Sequence, residues 1–159
     1  MKVVINKCYG GFSLSPLAIK YMAEIQDKSC FFFKKDYGKG VLSNDRYIPC
    51  TIDEAARDIM FSAFTIKHPD KLFDDEKSWN EMTLEERNKH NKLWESVSLS
   101  SRDFNRADPL LVKCIEELGN KANGICAKLA VIEIPDGTKY TIEEYDGFEH
   151  IAEEHRTWN

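Results

Sequence analysis

The sequence predicts an α+β fold in which a small mixed sheet packs with three to four helices. Three observations carry this. A β-branched run, Val3-Val4-Ile5, opens the chain. Two specific helix starts, Ser15-Pro16 and Asp108-Pro109, each precede an apolar stripe. Residues 129–145 read as two strands around an Asp136-Gly137 turn.

Taken in order, the first strand covers 2–6 and leads into the glycine turn Cys8-Tyr9-Gly10-Gly11-Phe12. A helix follows over 16–27, with serine as N-cap, proline at its first position and Leu17, Tyr21 and Ile25 recurring on one face. Cys30-Phe31-Phe32-Phe33 predicts a strand over 30–34, and Asp36–Pro49, rich in Gly, Asn, Asp and Ser, reads as a long loop. Thr51 and Glu54 form a capping box for a helix over 51–64, whose apolar residues Ile52, Ala55, Ala56, Ile59, Met60 and Ala63 keep helical spacing. After a polar stretch, Thr83 and Glu86 form a second box for a charged helix over 83–97, with Leu84, Leu93, Trp94 and Val97 as its apolar anchors.

The helix at 109–118 buries Leu110, Leu111, Cys114, Ile115 and Leu118 and stops at Gly119. Strands near 128–134 and 139–145 follow, and the segment after Asp146-Gly147 fits either a helical turn or a strand. One domain over 1–159 is expected, with 65–105 as a candidate insertion into a core built from the two ends.

Composition narrows the functional classes. The chain has 159 residues, 42% of them hydrophobic and 31% charged, so its length and make-up suit a folded core without staples. A net charge of −5 argues against nucleic acid as a partner. No apolar run approaches the ~18 residues of a membrane span, and no leader pattern opens the chain. The five cysteines, an odd number without a C-x-x-C pair, predict reduced thiols in a cytoplasmic setting. Cys114 and Cys126 sit among apolar neighbours and read as buried hydrophobes.

The N-terminal run Val4-Ile5-Asn6-Lys7-Cys8-Tyr9-Gly10-Gly11-Phe12-Ser13-Leu14-Ser15 resembles the opening of a family of small uncharacterised proteins encoded by bacteriophages and prophages. The C-terminal half is similar to that family in Arg106-Ala107-Asp108-Pro109, Glu143-Glu144-Tyr145-Asp146-Gly147 and His155-Arg156-Thr157-Trp158. The resemblance spans roughly half of the chain and implies a phage accessory protein in the host cytoplasm. It brings no activity with it.

The glycine turn admits two readings. Glycines supply the φ > 0 that a tight strand-to-helix turn needs, or they let an anion approach backbone N–H groups at a helix start. The P-loop lysine and the third glycine of a dinucleotide fingerprint are missing. Candidate ligand contacts are Asn6, Cys8, Tyr9, Gly10, Gly11, Phe12 and Ser13 at this turn, with Arg106, Tyr145, His155 and Arg156 from the far end. Arginines would meet phosphate, and the aromatics would stack on a base.

Cys8 near a helix start is a candidate nucleophile with His155 as base. His150 and Glu154, at i, i+4, would share the face of a helix as metal ligands do. A solvated charged face is the plainer reading of that acidic stretch, and neither a metal nor a cofactor is expected. These features together predict a non-enzymatic protein that binds a small anionic, nucleotide-like ligand, with a homo-oligomer building the pocket. Two alternatives stand beside it: an adaptor that docks on a host protein through helix 83–97, and a hydrolase using Cys8 or the His150/His155 cluster.

Overall fold

A computed structural model describes residues 1–36, 46–69, 82–99 and 104–154. The α+β class holds, but among the described residues the strands form three separate antiparallel sheets instead of one mixed sheet. The chain divides into two compact units, one made of residues 1–22 with 101–159 and the other of residues 23–100.

In the first unit, β1 (Lys2–Asn6) pairs with β5 (Leu129–Glu133), Val4 opposite Val131 and Ile5 opposite Ala130. Val3, Val4 and Ile5 are all buried, so β1 is covered on both faces and its apolar run is continuous rather than alternating. Helix α4 (Pro109–Leu118) and the hairpin strand β7 (Phe148–Glu153) both pack against β1. Asp108 caps α4 by accepting the Leu110 N–H at 2.8 Å, and Pro109 takes the first position as the sequence predicts.

Helix α1 (Pro16–Ile25) begins on Ser15, whose Oγ accepts the Ala18 N–H and donates to the Lys121 carbonyl at 2.6 Å. Its buried face differs from the predicted one. Ala18, Ile19, Met22 and Ala23 are buried, whereas Leu17 and Ile25 are exposed. Residues 17–19 and 21–23, on either side of Lys20, are all apolar or aromatic, so more than one i, i+4 stripe can serve as the buried face. Tyr21 on the outer stripe donates its hydroxyl to Glu117, which together with desolvation pushes its pKa up to about 12.

Strands β6 (Tyr140–Tyr145) and β7 form a hairpin. The turn Asp146-Gly147 has φ +50° and +83°, a type I′ geometry that suits the strand twist. This pairing settles the segment after Asp146-Gly147 as a strand.

The second unit holds the sheet β3–β2–β4, with β2 (Phe31–Asp36) central between β3 (Arg46–Cys50) and β4 (Ser62–Phe64). Part of the predicted 36–49 loop is therefore strand, and residues 37–45 lie outside the described residues. Pro49 is tolerated because β3 is an edge strand. The helix predicted over 51–64 is a single turn, α2 (Ile52–Ala55), with its Thr51–Glu54 capping box intact. Asp58 accepts the Met60 N–H at 2.8 Å, a local bond that competes with the helix, and Ser62–Phe64 pair with Phe31–Phe33. Ile59 and Met60, which helical spacing placed in the core, are exposed.

Helix α3 (Leu84–Val97) starts on the predicted Thr83–Glu86 box. It has no buried residue and is held by Trp94, whose ring lies 4.8 Å from Phe64 and 5.5 Å from Tyr47. A helix with so little packing depends on its ends. Thr83→Ala is expected to lower stability by about 1 kcal/mol, read as a reduced urea midpoint at unchanged m-value.

Candidate functional site

The glycine turn, Arg106 and the β6–β7 turn are brought together in the first unit. Asn6 is the hub. Its side chain is fully buried, and its Nδ2 donates to the carbonyls of Cys8 and Gly147, both at 2.7 Å. Its Oδ1 accepts the Lys128 N–H at 2.8 Å and lies 3.3 Å from the Cys8 sulfur. Both amide hydrogens and the carbonyl oxygen are thus used in tying three chain segments together.

Glu149 is the second hub. It is buried, accepts the Asn6 backbone N–H at 2.7 Å, and receives both guanidinium arms of Arg106 at 2.9 and 3.2 Å. Arg106 also stacks on Phe12, its Cζ 3.3 Å from the ring centroid. The arginine named for phosphate recognition is therefore engaged by a carboxylate and an aromatic face.

The glycines are close-packed. A Cβ on Gly10 would lie 1.7 Å from the Cys126 carbonyl oxygen, and one on Gly147 would lie 2.4 Å from the Gly11 nitrogen. Gly11 adopts φ +80°, and the position of its own Cβ is open. Ser13 accepts the Gly124 N–H on its carbonyl at 3.0 Å. Tyr9 and Tyr145 are 69% and 78% exposed, and the Tyr9 ring meets Phe148 at 5.7 Å. Cys8 donates its thiol to the Cys126 carbonyl at 2.9 Å, and Cys126, read from sequence as buried, is exposed at a turn. His155 and Arg156 lie outside the described residues.

The His150 and Glu154 spacing requires a helix to bring both groups to one spot, but His150 lies on strand β7. There it faces Glu143 across the hairpin at 3.1 Å.

Beside this joint lies an open cleft of about 670 Å³ between the β1–β5 sheet and the hairpin. Ile5, Ile132, Ile134, Phe148 and Ile151 give it an apolar floor, while Lys7, Thr138, His150 and the carboxylates Glu149 and Glu153 supply polar atoms. Residue alternation puts Ile5 and Lys7 on one face of the extended chain. Among the described residues, Lys7 has no ion-pair partner. Sequence reasoning missed this cleft because its floor looks like ordinary core strand. The available signal was a lysine two residues after a wholly apolar run.

No protein-family model, curated protein or solved structure matches the chain.

Proposed function

We propose that the chain is a binding protein for a small amphipathic anion, with a nucleotide-like ligand as the leading class. The observation that carries the reading is a cleft with an apolar floor whose lining includes the Lys7 ammonium, set against Glu153 and a Glu149 carboxylate already engaged by Arg106. Its volume falls in the range of roughly 300–1,000 Å³ typical of small-molecule sites. A planar ring would lie over Ile132 and Phe148, an anionic group would meet the Lys7 ammonium, and Thr138 would donate or accept a hydrogen bond. The site thereby moves from the glycine turn, whose polar groups serve each other, to the strand face next to it.

Retention rather than turnover is the activity proposed. Among the described residues that line the cleft, His150 faces Glu143, Glu149 is engaged by Arg106, and neither serine nor cysteine is present. With the phage-like motifs, this extends to sequestration of a host signal molecule.

Native mass spectrometry of protein expressed in cells tests the reading through retained small-molecule mass, followed by thermal shifts across a nucleotide panel. Lys7→Ala is expected to weaken binding tenfold or more, since a charge-assisted hydrogen bond contributes about 1.5–3 kcal/mol. A clean mass together with no shift for any nucleotide would end the proposal.

A second reading, protein docking through α3, is favoured by that helix's lack of buried residues and by Leu84, which is 75% exposed. Pull-down from host lysate, with Glu85, Glu86 and Glu95 changed to lysine in the control, tests it.

A further inference from the structure

Five cysteines are scattered along the sequence, and the fold brings one of them, Cys8, against the backbone of another, Cys126. Cys8 and Cys126 are 118 positions apart, yet the Cys8 thiol sits 2.9 Å from the Cys126 carbonyl oxygen. Covalent geometry keeps the Cβ of a residue within about 3 Å of its own carbonyl oxygen. The Cys126 side chain therefore starts next to Cys8. A Cβ on Gly10, two residues after Cys8, would lie 2.5 Å from the Cys126 Cβ, so the Cys126 side chain starts against the glycine turn. Cys126 is exposed and occupies the turn closed by the Ala127 N–H to Gly124 carbonyl bond, so its side chain has solvent in which to rotate.

We propose that Cys8 and Cys126 are an oxidisable thiol pair that closes to a disulfide and clamps the glycine turn onto the segment entering β5. The oxidant class is a peroxide. The exposed Cys126 sulfur attacks one peroxide oxygen, the O–O bond breaks, and a sulfenic acid forms with release of water. The Cys8 sulfur then attacks the sulfenic sulfur. The S–S bond forms, the S–O bond breaks, and hydroxide leaves with the Cys8 proton as a second water. Two thiols lose two protons and two electrons, and the peroxide is reduced to two waters.

Two of the other cysteines, Cys114 and Cys50, are set apart from this chemistry. Cys114 is buried against the Ala18 carbonyl, and desolvation pushes its thiol up to about 11. Cys50 is also raised, chiefly by burial. A less available thiolate slows both attack and exchange.

The test treats the full-length reduced protein with hydrogen peroxide, blocks remaining thiols with N-ethylmaleimide and maps the peptides. The expected product joins the Cys8 and Cys126 peptides within one molecule, is reversed by dithiothreitol and melts at a higher temperature than the reduced form. Cys126→Ser, a substitution at an exposed position, should abolish the link, while Cys50→Ser should leave it unchanged. Recovery of Cys8 and Cys126 as separately alkylated or separately over-oxidised residues would overturn the proposal. So would linkage of either one to another cysteine or to a second molecule.

Discussion

Glu149→Ala is expected to destabilise the first unit by about 3–5 kcal/mol, the cost of removing one partner from a buried ion pair. The carboxylate serves two donors at once, the Arg106 guanidinium and the Asn6 backbone N–H. Its loss leaves a largely buried cation over Phe12 and an unpaired amide at the end of β1. Urea unfolding followed by circular dichroism measures the loss. The double change Arg106→Met with Glu149→Leu separates two explanations. Removing both charges should recover a large part of the deficit, because the stranded charge rather than the missing attraction dominates. Recovery should stay incomplete, since the Asn6 N–H still lacks its acceptor. A single Glu149→Ala variant as stable as the parent would mean that the pair is solvated and that the joint is held by other contacts.

Gly10→Ala is the second large effect, with an expected loss of about 3 kcal/mol or more from overpacking against backbone. The added methyl would overlap the Cys126 carbonyl oxygen at 1.7 Å, and no side-chain rotation can relieve that clash. Gly11→Ala gives the matched comparison. Its Cβ would meet nothing within 4 Å, so only the left-handed φ of +80° resists it, at about 1–2 kcal/mol. The two adjacent glycines should therefore differ clearly in urea midpoint, with Gly10 the less replaceable. Equal effects would show that the turn retreats from residue 126 when crowded.

These two sites also show what the sequence made legible. Ser15, Thr51, Thr83 and Asp108 announced their helix starts because capping is local chemistry, complete within four residues. Asp146-Gly147 signalled a turn for the same reason. The end of the helix at 51–64 was not legible, because the winning interaction, Ser62–Phe64 against Phe31–Phe33, lies about thirty residues away. Register on α1 was hidden by two equally apolar stripes. At the candidate site, the meeting of Arg106 with the glycine turn was suspected from shared aromatic and cationic content. The role of Glu149 was not, since one glutamate in an acidic stretch carries no mark that it alone will be buried. The cleft depends on how the hairpin stands over β1 and β5, which no residue spacing encodes.

The pairing of β1 with β5 has a consequence for how the chain is made. Val4 has its strand partner, Val131, only after 126 intervening residues have been synthesised, whereas all three strands of the middle sheet lie within residues 31–64. At 5–20 residues per second, Val3-Val4-Ile5 waits on the order of ten seconds on the ribosome without its ladder. During that interval the middle unit has every strand of its own sheet in hand. Strand β1 is thus among the last elements to find its place, and its apolar run is the natural point of engagement for a chaperone.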